Sequence, residues 1–271
     1  MSESKQRWRI VYARDDDARF LSHLDAVHLW ERAFRRGDIP VATSEGFSPR
    51  PRLVFAAPLP LGMLAEHDLA DLFLSERLTR PDLRDRLAGG MPRGYRLVDL
   101  RDEWVGGPAV ATQLVAADYR LTLLGVASDR LDGAVERLLL ASSLRREKRR
   151  EKKVTAYDLR PLLLDLQVRP ADATAAGSDA ADAADLDSAG LWMRLRNSQD
   201  LGSGRADEVV AAIADELGMT AAMPSGAGSG EAEAETEPEV ARSAQPPPDR
   251  PILEMVRPVR ERLWLADELD A

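Results

Sequence analysis

Apolar positions recur along this chain in two alternating rhythms, and the order of those rhythms predicts its elements. Trp8 to Tyr12 alternates as a strand that resumes at Phe20 and Leu21 after the charged turn of Asp15, Asp16 and Asp17. Ser22 stands three residues before Asp25, a capping-box-like start, and Leu24, Val27, Trp30 and Phe34 then recur at helical spacing until Gly37 and Pro40. Leu53, Val54, Phe55 and Ala56 form a short apolar run, and Asp68 to Leu74 supplies its hairpin partner. Beyond Thr79 and Pro81 a helix runs to about Leu87 before Gly89 and Gly90, and Tyr95 to Leu100 is the next strand. The order is βαββαβ. It predicts a ferredoxin-like arrangement, with two helices on one face of a four-stranded antiparallel sheet.

The second half repeats the order. Tyr119, Leu121 and Leu123 alternate as a strand, Leu131, Val135, Leu138 and Leu139 mark a helix, and Leu162 to Val168 and Leu191 to Leu195 alternate as a hairpin. Val209, Val210, Ile213 and Leu217 make the second helix, and Ile252 to Leu265 the last strand. The expected fold class is therefore α+β, with two tandem ferredoxin-like domains, residues 1–106 and 117–271, and a linker at 107–116. The linker lies in the break from Val105 to Val115, which carries Gly106, Gly107 and Pro108. The stretches near 171–190 and 221–250 are rich in Ala, Asp, Glu, Gly and Pro and lack apolar periodicity, so both are expected to be long disordered insertions.

Composition narrows the chemistry. With 271 residues, 44% of them hydrophobic, the chain can bury substantial cores. There is no run of about 18 apolar residues and no leader pattern at Met1, so a cytoplasmic protein without a membrane span is expected. Zero cysteines exclude disulfides, thiolate zinc sites and cysteine nucleophiles, and three histidines leave little for a metal, so no metal and no cofactor is expected. The net charge of −9 argues against a globally basic nucleic-acid binder, but much of the acid lies in the two insertions.

The most constrained stretch is SEGFSPRPRLVFAAPLPLG, Ser44 to Gly62. Pro49, Pro51, Pro58 and Pro60 fix φ, and Arg50 and Arg52 flank a rigid turn. Together with FLSHLD at Phe20 to Asp25 and the Arg35-Arg36 pair, this stretch resembles the radical-SAM-linked proteins, a bacterial domain-of-unknown-function family of the DUF2344 type. YDLRPLLLDL at Tyr157 to Leu166 extends the resemblance, while Ala206 stands where the pattern has a proline. The resemblance implies a radical-SAM enzyme with a cobalamin-type domain as partner. Having no cysteine triad, this chain is not itself the radical enzyme.

Three constellations are candidates for function. Ser22, His23 and Asp25 open the first helix and are expected to face Arg50 and Arg52, where free N–H groups and two guanidiniums would hold a phosphate or carboxylate, with His23 as a candidate general base. The alternative is a capping serine and a packed histidine. Arg145, Arg146, Lys148, Arg149, Arg150, Lys152 and Lys153 form a basic segment interrupted only by Glu147 and Glu151, a candidate RNA contact or else a solvated arm. Trp192, Arg194 and Arg196 share one face of a strand, as in sheets that bind RNA or that pack on a second sheet. The expected function is a non-catalytic accessory protein of a radical-SAM system that binds RNA or presents a substrate. The alternatives are a metal-independent endoribonuclease or nucleotide-processing enzyme using His23 with Arg50 and Arg52, and a protein-interaction scaffold.

Overall fold

A computed structural model describes residues 4–44, 49–150, 153–172, 187–198, 202–223 and 250–269. The described residues divide into two compact units, one of 4–115 with 260–269 and the other of 116–223 with 250–259. Both are α+β, and among the described residues most strand pairs are antiparallel. Among the described residues no helix is long and apolar enough to cross a membrane.

The first unit runs β1 (Gln6–Arg14), α1 (His23–Arg36), β2 (Leu53–Phe55), β3 (Leu64–Leu74), α2 (Arg80–Gly90), β4 (Tyr95–Glu103) and the single turn α3 (Val110–Gln113). β1 lies between β4 and β3, antiparallel to both, and β3 carries β2 antiparallel on the far side. The helices cover one face. Trp8, Ile10 and Tyr12 of β1 and Ala70, Leu72 and Leu74 of β3 pack there against Trp30, Phe34, Leu83 and Leu87.

The helical stripe differs from the expected one. Ala26, Trp30, Ala33 and Phe34 are the buried residues of α1, while Leu24 is 50% exposed, because the small Ala26 and Ala33 flank the large Trp30 against the sheet. The strand expected to resume at Phe20 is instead a 3-10 turn at Asp16–Ala18, and Phe20 is exposed beneath the Arg19 guanidinium. Gly37 ends α1 at φ −81, and the left-handed residue is Asp38 at φ 49. Glycine is required at 37 by proximity, since a Cβ there would lie 2.6 Å from the Arg86 carbonyl oxygen of α2.

β1 is buried along its whole length rather than on alternate positions. On the face turned away from the helices, Arg9 makes two bonds to Asp71, Nε to Oδ1 at 2.9 Å and Nη2 to Oδ2 at 3.4 Å. Arg7 donates to the carbonyls of Gly107 and Pro108, both at 3.0 Å, and the Val110 N–H donates to Asp71 at 3.2 Å. The start of the segment expected as a linker is thus fastened to the first unit's sheet, because buried guanidiniums need acceptors and its carbonyls supply them.

The second unit comprises β5 (Leu114–Leu124), α4 (Ser128–Leu140), β6 (Arg145–Arg150), β7 (Lys153–Asp158), β8 (Leu163–Arg169), β9 (Ser188–Ser198), β10 (Gly202–Ser203), α5 (Ala206–Leu217), β11 (Thr220–Ala222) and the first part of β12 (Ile252–Leu265), after which the chain ends its described part in α6 (Ala266–Leu269) of the first unit. β9 pairs antiparallel with β5, β8 and β10, and β12 takes its place beside β5 with β11 parallel to it. β6 and β7 form a separate two-stranded sheet. β12 contributes residues 252–259 to this unit, whereas 260–265, with α6, belong to the first unit. The central parts of the two predicted insertions lie outside the described residues, while Ser188 to Gly190 and Ala221 to Ala222 are strand.

Candidate functional site

The stretch from Ser44 to Gly62 is held by two buried arginines. Its residues 45–48 lie outside the described part, but from Pro49 onward its course is set by carbonyl acceptors. Proline removes N–H donors, so Pro58 and Pro60 leave a loop with carbonyls to spare. Arg14 donates Nη2 to the carbonyls of Pro60 and Met63, both at 2.8 Å, and Nε to Met63 at 3.2 Å. Arg260 donates to the carbonyls of Ala57 at 3.2 Å and Pro58 at 3.1 Å. Its other donors clasp Asp68, Nε to Oδ1 at 2.8 Å and Nη2 to Oδ2 at 2.6 Å.

Tyr12 donates its hydroxyl to Asp68 at 3.3 Å, and Arg14 also bonds Tyr95. Burial pushes both tyrosine hydroxyls above their ordinary value, with the Asp68 charge adding to the effect. Burial lowers Arg14, and its bond to Tyr95 and the Asp68 charge oppose that shift. Tyr12 donates to Asp68, while Arg14 donates to the loop carbonyls and to the Tyr95 oxygen, which is the chemistry of a clamp. Sequence reading passed over Arg14, Asp68 and Arg260. Each lies in a strand that carries other charges, so nothing in the sequence sets it apart.

His23 stands beside this clamp. Ser22 caps α1, accepting from the Asp25 N–H at 3.1 Å and donating to the Asp25 carboxylate at 2.6 Å. The His23 ring meets Phe55 edge-on at 5.4 Å, and burial holds its pKa below the ordinary value. The cavity between His23, Tyr12, Arg14, Phe55, Leu59 and Tyr95 measures about 10 Å³, room for about one water.

The two arginines of the stretch do not join His23. Leu53 and Phe55 of β2 pack toward the helices, so the neighbouring Arg52 turns to the opposite face, where its guanidinium lies 4.1 Å above the Phe73 ring and donates to the Ser4 hydroxyl at 2.7 Å. Arg50 is exposed, and its N–H donates to the Ser44 hydroxyl at 3.0 Å. Ser22, His23 and Asp25 therefore stand at one helix start, and the expected facing of Arg52 is replaced by its contacts with Phe73 and Ser4.

The basic segment forms the β6–β7 hairpin. Register sets Arg146 opposite Tyr157, Lys148 opposite Thr155 and Arg150 opposite Lys153. Near its base Arg146 pairs with Asp215 and Glu208 of α5, and the Tyr157 hydroxyl bonds Glu208. Burial, then the Glu208 charge, raises the Tyr157 hydroxyl well above its ordinary value. At the foot, the Asp158 carboxylate accepts from the N–H groups of Leu144 at 2.7 Å and Arg160 at 3.0 Å, and these bonds hold its pKa below the ordinary range. The side chains of Lys148, Arg149, Arg150, Lys152 and Lys153 lie outside the described part.

The third set is not exposed. Trp192 is buried, with the guanidiniums of Arg169 and Arg194 at 4.7 Å and 5.5 Å from its ring. Arg194 grips Asp118 of β5 with two bonds of 2.7 Å and 2.9 Å, and Arg196 donates to the Pro161 carbonyl at 3.2 Å. These side chains join strands within the second unit and present no stacking platform.

The folds and the buried clamp define an α+β protein of two units in which arginines organise proline-rich backbone. The chain belongs to the bacterial family described as an uncharacterised protein conserved in bacteria (DUF2344), whose model matches residues 7–189. No curated protein matches the chain. Among solved structures, one described as an unknown protein from Galdieria sulphuraria aligns at 16% identity with a TM-score of 0.23, covering 79% of this chain and 94% of that one.

Proposed function

We propose that this protein is a non-catalytic accessory of a radical-SAM enzyme system that binds RNA through the β6–β7 arm. The observation that carries the reading is the arm itself. Seven basic residues occupy nine positions from Arg145 to Lys153, on a hairpin separate from the larger sheet and stapled at its base by Arg146. One cation serves the staple, and the remaining six suit a phosphate backbone. The second unit's order, β12–β5–β9 with β8 beyond, and the first unit's order, β4–β1–β3 with β2 beyond, support two tandem ferredoxin-like units as the scaffold. The radical-SAM partner rests on the resemblance of the Phe20 to Asp25 and Ser44 to Gly62 stretches, and a cytoplasmic setting accords with a chain without cysteine.

The test is an anisotropy titration of the full chain with labelled cellular RNA at low and moderate salt. The comparison variant neutralises Arg145, Lys148, Arg149, Arg150, Lys152 and Lys153 and keeps Arg146 to preserve the anchorage. Salt-sensitive binding lost in the variant is expected. Equal binding by both proteins, or binding by neither, removes the RNA reading. Cleavage of the RNA by the wild type but not by His23→Ala would replace the accessory role with the ribonuclease.

A further inference from the structure

On the face of the first unit's sheet turned away from α1 and α2 lies a cavity of about 200 Å³. Its floor is aliphatic: Val11 of β1, Leu69 of β3 and Leu263 of β12, each almost fully buried. Its rim is charged, with His67, Arg101, Arg262 and Glu268. Arg101 donates Nη1 to Glu268 Oε1 at 3.0 Å, and Arg262 Nη2 lies 3.6 Å from Oε2. Both guanidiniums nonetheless remain 45% exposed.

The other contacts of these groups set their geometry. Arg262 stacks 3.9 Å from the Trp264 ring, which orients its fork. Arg101 Nε lies 3.7 Å from Asp99, a carboxylate already bonded by Arg80. His67 donates Nδ1–H to the Glu261 carbonyl at 3.1 Å. Two arginines from different strands therefore converge on one anion position above an apolar floor. The carboxylate occupying it comes from α6, a single turn that lies outside the sheet.

We propose that this cavity is a binding site for a mononucleotide-class phosphate ester, with the phosphate held between Arg101 and Arg262, the base on Val11, Leu69 and Leu263, and Glu268 occupying the phosphate position in the free protein. Guanidinium forks donate to carboxylate and phosphate oxygens with the same geometry, so one anion can replace the other. The phosphate carries more charge and more acceptor oxygens than Glu268, and the base adds apolar contact that a glutamate cannot make. The volume falls below the ~300–1,000 Å³ of sites for drug-sized ligands, which restricts the ligand to one nucleotide or less. The cavity's residues belong to the first unit and the basic hairpin to the second.

The experiment is calorimetric titration of the full chain with AMP, adenosine and inorganic phosphate, for the wild type, Glu268→Gln, Arg262→Ala and Arg262→Lys. AMP is expected to bind Glu268→Gln about two- to fivefold tighter than wild type, the worth of one exposed ion pair. Arg262→Ala is expected to weaken AMP about tenfold or more, and Arg262→Lys to recover only part of that loss because the fork is gone. Thermal melts of each variant show that the fold is retained. No AMP binding to wild type or Glu268→Gln overturns the site, and equal affinity in those two proteins overturns the role of Glu268. Inorganic phosphate binding as tightly as AMP overturns the nucleotide class.

Discussion

Arg260 and Asp68, 192 residues apart, form a two-bond ion pair at 2.8 Å and 2.6 Å in which both side chains are almost wholly shielded from water. The same guanidinium reaches the Ala57 and Pro58 carbonyls, so one residue joins the last strand, the third strand and the proline-rich loop. Removing one partner leaves the other charged and buried. Arg260→Ala and Asp68→Ala are each expected to lose about 3–5 kcal/mol of stability, and a double change to Met and Leu less than the sum. Urea denaturation of the four proteins decides this, and single losses below about 1 kcal/mol would show the pair to be solvated.

Gly94 offers a backbone test of the same corner. It sits at φ 80, and a Cβ there would lie 2.6 Å from Ala18 Cβ and 2.7 Å from the Ala18 nitrogen. Gly94→Ala is expected to destabilise by about 1–3 kcal/mol, from left-handed strain and the clash with the 3-10 turn. A melting temperature unchanged from wild type would contradict that placement.

His23 predicts a pH dependence. Burial lowers its pKa on folding, so between its folded value and the ordinary value near ~6.5 the unfolded chain binds more protons. Stability from this group is therefore full above the ordinary value and declines as pH falls through it. His23→Asn is expected to flatten that part of the profile of denaturation midpoints from pH 8 to 5. A slope equal to wild type would place the responsible group elsewhere.

The Ser22 cap separates structure from chemistry. Ser22→Ala is expected to lose about 0.5–2 kcal/mol of stability, because the Asp25 N–H loses its acceptor, while RNA affinity at the arm stays as in wild type. Loss of RNA affinity with the fold intact would instead assign the start of α1 to the binding surface.

Periodicity made the elements legible because local spacing reports which faces are covered. β12 runs over the same Ile252 to Leu265 that the apolar pattern marks, and α1, α4 and α5 fall where their stripes lie. The alternation of Trp8 to Tyr12 left no sign that both faces of β1 are covered, with Arg7 bonded to the Gly107 and Pro108 carbonyls and Arg9 to Asp71. At Trp192 the pattern left an RNA-binding face and a packed face both open, and the ring is buried beside Arg169 and Arg194. A charge in a strand looks the same whether water or a distant carbonyl accepts from it.

By itself, the sequence determined the main helices and strands of each half, though not the β6–β7 hairpin or the short α3, β10, β11 and α6, together with the cap at Ser22, the density of charge between Arg145 and Lys153 and the stiffness of the proline-rich stretch. Each of these depends on residues within a few positions of one another. Only the tertiary structure decided that Arg52 turns away from His23, that the C-terminal residues return to the first unit, and that Arg14 and Arg260 hold the loop. Those outcomes rest on hydrogen-bond partners from distant parts of the chain, with Arg260 bonding carbonyls 202 and 203 residues away. Buried guanidiniums must find acceptors wherever the fold brings carbonyls and carboxylates, and that requirement leaves no periodic trace in the chain.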